Sequence, residues 1–254
     1  MNYIKDSVLG KYACFTYKEI DINAINFAEE WRFMARCTQS VGKKGSQKWI
    51  QKLINEKPEL FNSYILEELN LPKSEHVCWL SPLKSDDYAE YSDQDCLDRL
   101  GVSLKKKPLA DFWPENGPQW DALGKSNSGR LFLVEAKSHI GELSSFTGAK
   151  GNSLNKILQS LSETKDFLNS TIHADWSRVF YQYANRLAHL YLLRQNDLPA
   201  YLVFVYFLND AEMDGPATID TWKGAIELLH TYLGIRHHKL QKYIAEVFID
   251  ITHL

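Results

Sequence analysis

The chain has 254 residues, of which 44% are hydrophobic and 24% are charged. This balance is typical of a globular domain and excludes a disordered or collagen-like chain. The formal net charge of −3 excludes the strong positive field of histone-like proteins, so any affinity for nucleic acid must come from a local patch.

The four cysteines lie far apart in the sequence, at Cys14, Cys37, Cys78 and Cys96. They form no close pair of the kind that zinc knuckles use, and no apolar signal region follows Met1. We interpret them as buried, reduced thiols. No segment approaches the roughly 18 consecutive apolar residues of a membrane span. We therefore expect a cytoplasmic protein without a membrane partner.

The first third of the chain has helical spacing of apolar residues. Phe27, Trp31 and Met34 share one helical face. A second helix is predicted from residue 45, and Pro58 opens a third at a position that needs no N–H donor. The predicted core faces of these two helices are Trp49, Ile50, Leu53 and Ile54, then Leu60, Phe61, Tyr64, Ile65 and Leu69.

Short strands are predicted in the middle of the chain. Residues 77–80 could form one, but their charged surroundings favour an insertion or loop region over 73–107. Three strand-like segments follow at 109–113, 119–124 and 130–138, separated by turn-rich stretches. This pattern predicts a β-meander.

The second half alternates helices with strands. Amphipathic helices are predicted at 154–168 and 176–191, and a later one ends at Gly234, a residue type favoured after a helix. Ala200–Leu208 is apolar almost throughout, which is typical of a central strand covered on both faces. A closing strand is predicted at 244–252. These elements predict one α/β domain with a mixed sheet.

Glu135 and Lys137 break the local pattern, because an acid and a base end a strand that is otherwise apolar. Residues two apart on a strand leave the same face, and burying both charges is costly unless they pair or hold an ion. If 119–124 and 130–138 form an antiparallel hairpin, the numbers of any two paired residues add up to the same constant. A constant of 254 or 256 places Asp121 on the same face as Glu135 and Lys137. The sum of 256 needs a three-residue loop, 127–129, with Gly129 left-handed. Two carboxylates and an amine then converge.

These residues resemble the PD-(D/E)XK nuclease superfamily. Asp121 is followed, after 135 − 121 = 14 residues, by Glu-Ala-Lys at the end of an apolar strand. The resemblance implies an α-β-β-β-α-β, restriction-endonuclease-like core over roughly residues 45–210, with 109–113, 119–124 and 130–138 as its first three strands. We expect a single domain over 1–254, an α/β fold whose central mixed β-sheet is flanked by helices, with N-terminal helical and C-terminal elaborations.

The resemblance implies a nuclease that hydrolyses phosphodiester bonds, with DNA as the expected substrate. Asp121 and Glu135 would hold Mg²⁺ or Mn²⁺, and Lys137 would position or activate the attacking water. The backbone carbonyl of Ala136 is a further ligand that the resemblance suggests. A homodimer is compatible with this function.

The sequence departs from the family pattern in two places; the first is tolerated variation, and the second, together with the near-neutral charge, favours an alternative. Trp120 stands where the family often has proline, and the frequent first-helix glutamate is missing. Gln47, Gln51 or Glu68 would have to replace it. A catalytically inactive nucleic-acid-binding or scaffold module is the alternative function, and hydrolysis of a small phosphate compound ranks last.

Two groups of polar residues have open roles. Lys125 and Arg130 flank the hairpin tip and could contact phosphates, although a solvated tip is the simpler interpretation. A polar stripe on the helix before the apolar strand 200–208 could reach the site, but we interpret it as the solvent-exposed side of that helix. Its members are Gln182, Asn185, Arg186 and His189.

Overall fold

A computed structural model describes residues 36–170 and 173–254. The strands are β1 (Arg36–Cys37), β2 (Val77–Ser81), β3 (Glu90–Tyr91), β4 (Ala122–Ser126), β5 (Leu131–Lys137), β6 (Ala200–Leu208) and β7 (Ile244–Asp250). Five of them form a central sheet in the order β2-β4-β5-β6-β7, and β1 pairs with β3 in a separate two-stranded sheet. The β2–β4 and β4–β5 pairs are antiparallel, whereas β5–β6 and β6–β7 are parallel.

Helices cover both faces of the central sheet. They are α1 (Gly45–Glu56), α2 (Pro58–Glu68), α3 (Asp93–Leu100), α4 (Leu109–Phe112), α5 (Gly151–Leu168), α6 (Tyr181–Gln195) and α7 (Ile219–Leu233). One core lies between the sheet and α1 and α2, and the other lies between the sheet and α3 to α7. The prediction of an α/β fold with a helix-flanked mixed sheet is confirmed.

Several elements match the sequence pattern closely. In α1, the predicted apolar face of Trp49, Ile50, Leu53 and Ile54 is buried. The prediction of a central strand is confirmed, because β6 is buried along almost its whole length between β5 and β7, both of which are parallel to it. Gly234 ends α7 with a φ of 69°, the left-handed conformation that glycine adopts without strain.

The predicted meander has a different first strand. Residues 109–113 are not a strand, because 109–112 form the short helix α4, which buries Phe112 against Tyr191 of α6 at 5.9 Å between ring centroids. The first strand of the sheet is instead β2. Tertiary packing decides such short apolar segments, since one helical turn and one strand can bury the same few residues.

The interpretation of 73–107 as an insertion or loop is therefore wrong in part. It contains β2, β3 and α3. The ring of Trp79 in β2 stacks on Phe61 of α2 at 4.7 Å, which ties this edge of the sheet to the helical layer.

Three smaller predictions have other outcomes. The helix predicted from residue 176 begins at Tyr181, so Trp176 precedes it. Cys96 is buried as expected, but Cys37 is exposed; Cys14 and the predicted face of Phe27, Trp31 and Met34 lie outside the described residues. None of the described helices combines the length and apolarity that a membrane crossing requires.

Candidate active site

The β4–β5 hairpin has the register that brings Asp121 to Glu135. Ala122 pairs with Val134 and Lys125 with Leu131, so paired residue numbers sum to 256. The loop closes through a bond from Gly129 N–H to Ser126 O of 2.9 Å, and Gly129 has a φ of 86°. The predicted three-residue loop is confirmed.

Asp121 lies one residue before β4 and reaches across to β5. Its Oδ2 accepts a hydrogen bond of 2.7 Å from the backbone N–H of Ala136, the residue between Glu135 and Lys137. The Lys137 ammonium donates to Glu135 Oε1. The structure thus brings together the three side chains that the sequence singled out.

Glu135 is the centre of a buried ionic cluster. Only 1% of the residue is exposed, and its second oxygen, Oε2, accepts a hydrogen bond of 2.6 Å from Arg186 Nε. Burial alone would raise the pKa of Glu135, but the charges of Arg186 and Lys137 outweigh it and lower this pKa overall. Glu135 is therefore held as a carboxylate between two cations.

Helix α6 supplies the groups that hold Lys137 and Glu135. Lys137 Nζ donates a hydrogen bond of 2.8 Å to Gln182 Oε1. Arg186 Nη2 donates to the carbonyl of Gln119 at 2.8 Å, and its guanidinium lies 4.8 Å from the centre of the Trp120 ring. The guanidinium therefore links α6 to the segment just before β4.

The interpretation of the α6 polar stripe as a solvent-exposed side is wrong. Asn185, Arg186 and His189 are all buried, because α6 packs among other helices as well as against the sheet. His189 lies edge-on to the Trp113 ring, and burial lowers its pKa to about 3. A neutral histidine is thus expected at physiological pH.

A third carboxylate, Glu90 of β3, was not identified from the sequence. Only 8% of it is exposed, and Gln39 Nε2 donates to its Oε2 at 3.2 Å. Burial, and next the charge of Asp121, raise the pKa of Glu90; burial and the charge of Glu135 likewise raise that of Asp121. No local pattern marks Glu90, because a two-residue strand has no periodicity.

None of the three residues considered for the missing first-helix acid contacts the carboxylates directly. Gln47 donates to Gln39 Oε1 at 2.9 Å and so reaches Glu90 through one intermediate side chain. Gln51 is buried and accepts from the Gly42 N–H at 2.7 Å. Glu68 lies near Glu246 of β7. Burial is the main cause that raises the pKa of Glu246, and the charge of Glu68 is the second. Among the described residues, Glu90 is instead the further carboxylate whose pKa the charge of Asp121 raises, after the larger effect of burial.

An open cleft of about 740 Å³ lies beside this cluster, whereas Glu135 and Lys137 line a separate small cavity that shares Gln182 with it. Asp121, Glu90, Gln182 and Arg186 line the inner part of the cleft. Two loops, at residues 114–118 and 145–150, form its outer walls. The volume lies within the range of about 300–1,000 Å³ that is common for binding sites.

Lys125 and Arg130 lie at the other end of the hairpin from Asp121 and Glu135. Lys125 Nζ donates to the Leu100 carbonyl at 2.8 Å, and Arg130 pairs with Glu75 at 2.5 Å. Five residues of strand correspond to about 16 Å. Their contact with phosphate stays a prediction, at a place remote from the cleft.

No family model, no curated protein and no solved structure matches this chain. Over residues 36–170 and 173–254, no set of three or more His, Cys, Asp or Glu side chains is arranged to hold a metal ion.

Proposed function

We propose that this protein is a metal-dependent nuclease that hydrolyses phosphodiester bonds in DNA. The observation that carries the proposal is the meeting of Asp121, Glu135 and Lys137 beside the cleft that Asp121 lines, through the Asp121–Ala136 hydrogen bond and the Lys137–Glu135 contact. Two carboxylates beside an amine are the set that this hydrolysis needs.

The donor set fits Mg²⁺ or Mn²⁺, held by Asp121 and Glu135. Mg²⁺ binds through one or two carboxylates and takes its other ligands from waters and substrate phosphate, so three protein ligands are not required. The raised pKa values of Asp121 and Glu90 fit as well, because burial first, and then the charge of a neighbouring carboxylate, raises each of them, and a bound cation would offset that charge. When bound, the ion would acidify a water and offset the charge that develops on the phosphate.

Lys137 is the residue that we propose to orient the attacking water or to stabilise negative charge. Its ammonium is held on two sides, by Glu135 and by the Gln182 amide oxygen. A donor fixed in advance stabilises developing charge without the cost of reorganisation. Gln182 thus acts as a positioning residue for Lys137.

The topology supports a restriction-endonuclease-like core. Helices α1 and α2 precede three antiparallel strands, β2, β4 and β5, and α6 leads to β6, which is parallel to β5. Asp121 lies next to the second of these strands and Glu-Ala-Lys ends the third. We propose this core with β2, rather than residues 109–113, as its first strand.

One observation favours the alternative of an inactive nucleic-acid-binding or scaffold module. Both oxygens of Glu135 are bonded to cations, Oε1 to Lys137 and Oε2 to Arg186. If both bonds persist when divalent ions are present, Glu135 is a structural ion-pair residue. A cleavage assay distinguishes the two functions.

The test compares Lys137→Met with native protein on supercoiled and single-stranded circular DNA, in Mg²⁺ and in Mn²⁺. Loss of one preorganised donor typically lowers the rate about 10²–10³-fold, and we expect at least the lower figure. Arg186 still pairs with Glu135 in this variant, so circular dichroism should report an unchanged fold.

Lys107→Met is the matched control. Lys107 also pairs with a glutamate, Glu163, but away from the residues that line the cleft. It should cleave like the native protein. Native protein that cleaves neither DNA in either ion, or a Lys137→Met variant that cleaves as fast as native, would contradict the proposed function.

A further inference from the structure

An aromatic ring projects into water at the outer wall of the cleft. Phe146 is 77% exposed, more than any other large hydrophobic residue in the described part of the chain, and it lines the cleft. Its backbone neighbours are fixed: Thr147 N–H donates to the Ser177 carbonyl at 3.0 Å, and the Tyr181 N–H donates to the Ser145 carbonyl at 3.2 Å. Phe146 is thus presented by an anchored segment, although exposure of a ring is unfavourable.

The same wall ends in a group of anion-binding features. Lys150 precedes α5, an 18-residue helix whose first turn contains no acidic residue and no side-chain cap. Lys150 and Ser153 line the cleft and are exposed. Unpaired N–H groups at a helix start, together with a lysine, favour a phosphate group.

A second observation in the same cleft also indicates a ligand. Asn185 lines the cleft and is only 6% exposed, yet its Oδ1 has no hydrogen-bond partner among the described residues. Unsatisfied buried acceptors are rare in folded proteins. Oδ1 is shielded in this rotamer; turned towards the cleft, it would accept a hydrogen bond from an N–H donor on the edge of a nucleobase.

We propose that this cleft binds an unpaired stretch of DNA, with one base stacked on Phe146 and a phosphate at Lys150 and the start of α5. This inference rests on the proposed function and deepens it by assigning the substrate class, DNA with unpaired nucleotides at the cut. Phe146 and the candidate catalytic residue Asp121 line one continuous cleft.

Stacking favours unpaired DNA over an intact duplex. In a duplex the faces of the bases are covered by their neighbours, so an exposed ring can stack only on a base that has left the helix. Duplex binding depends mainly on many phosphate contacts, which a chain with a net charge of −3 does not provide over its surface. One aromatic ring and one cationic group suit a single strand better.

The test measures binding of a fluorescent single-stranded oligodeoxynucleotide by anisotropy, in EDTA so that no cleavage occurs. Phe146→Ala should bind about 10-fold more weakly than native protein, because it loses one stacking ring. Phe146→Trp keeps a ring and should retain native affinity. Lys150→Gln should make the plot of log affinity against log salt concentration less steep, by the amount that corresponds to about one phosphate contact. Leu228→Ala is the control, because Leu228 is 65% exposed on α7 away from the cleft.

A blunt duplex and an oligoribonucleotide of the same sequence are the competing probes. Weaker binding of both than of the single-stranded DNA supports the inference. Absence of binding by native protein, equal affinity of Phe146→Ala and native protein, or a preference for duplex or RNA overturns it.

Failure of the proposed function has a separate signature. Since the binding assay contains no metal, Phe146-dependent binding by a protein that never cleaves would contradict the nuclease activity alone. Conversely, Lys137-dependent cleavage that Phe146→Ala leaves unchanged on single-stranded DNA would contradict only the assignment of the cleft.

Discussion

At the scale of single residues, the charge balance around Glu135 decides both stability and chemistry. Two cations, Lys137 and Arg186, face the buried acid Glu135 and the partly buried acid Asp121, and Glu90 adds a third carboxylate at the cleft. Buried charges of this kind are tolerated because each is paired or hydrogen-bonded. Removing one partner should therefore have large and specific effects.

Arg186→Met should destabilise the protein by about 3 kcal/mol, because it leaves the Glu135 carboxylate buried with one cation fewer. Chemical denaturation measures this free energy of unfolding. Arg178→Met is the control: its side chain is 76% exposed and pairs with Asp175 at 3.7 Å, so the change should stay within about 0.5 kcal/mol. Equal stability of the two variants would refute the central role of the Arg186–Glu135 pair.

Glu90→Gln should stabilise the protein at pH 8 but not at pH 4. Burial and the charge of Asp121 raise the pKa of Glu90 in the folded state. Between the ordinary glutamate pKa of about 4.3 and this raised value, the unfolded chain releases a proton that the folded chain keeps, so stability falls as pH rises. Replacing the acid by glutamine should thus raise the free energy of unfolding by about 1 kcal/mol or more at pH 8.

Denaturation midpoints across this pH range measure the effect of Glu90→Gln. Glu115→Gln, an exposed residue at the same cleft, should show the pH dependence of native protein. A Glu90→Gln variant whose advantage over native is the same at pH 4 and pH 8 would show that Glu90 is not a perturbed acid.

At the scale of secondary-structure elements, close approach of β2 and β4 depends on Gly124. A Cβ at this position would lie 2.9 Å from Val77 Cγ1 and 3.0 Å from the Trp79 ring, both buried in β2. β4 carries the candidate site through Asp121, so displacement of this strand would also displace the carboxylate.

Gly124→Ala should cost about 1–3 kcal/mol, the usual range for overpacking a core. Gly224→Ala is the matched control on α7, where an added Cβ meets no atom within 4 Å. It should stabilise the protein by about 0.5–1 kcal/mol, because alanine favours helix more than glycine does. Thermal denaturation of both variants checks the opposite signs, and a stabilised Gly124→Ala would disprove the close packing.

Elements with a strong local pattern could be predicted from the sequence. The apolar spacing in α1 and the continuous apolar run of β6 each specify one local conformation. The sequence left two hairpin registers open, and the structure has the one with the Gly129 loop. Asp121, Glu135 and Lys137 could be grouped because both registers place them on one face. Their catalytic role stays a prediction.

Features that depend on long-range packing could not be predicted. Arg186 and Glu135 are 51 residues apart, and the packing of α6 alone brings them together. Glu90 belongs to a two-residue strand whose partner, β1, lies far along the chain. The segment 109–113 carries apolar residues that suit a strand or a helical turn equally, and contact with α6 favours the turn.

At the scale of the whole molecule, the sheet changes from antiparallel to parallel pairing at β5. Glu135 and Lys137 lie at the carboxyl end of this strand, where the open edge of an α/β sheet commonly forms binding sites. The two helical layers on either side exclude water from the strands, so the carboxylates are buried except towards the cleft. The fold thus places Glu135 and Lys137 at this end of the sheet, with Asp121 and Glu90 lining the cleft beside them.

Binding of an ion should stabilise the whole molecule by mass action. At a Mg²⁺ concentration 100 times the dissociation constant, the expected gain is about 2.7 kcal/mol. Thermal denaturation with Mg²⁺, then with excess EDTA, measures the gain and its reversal. The Asp121→Asn variant should show neither, and an equal gain in this variant would place the ion elsewhere.

Titration with Mn²⁺, followed by electron paramagnetic resonance of the free ion, tests the carboxylate site most directly. Native protein and Asp111→Asn, whose substituted residue is exposed on α4, should bind the ion equally. Asp121→Asn should bind it at least about 10-fold more weakly. Equal Mn²⁺ affinity in all three proteins, or none in the native protein, would contradict a metal site at Asp121 and Glu135.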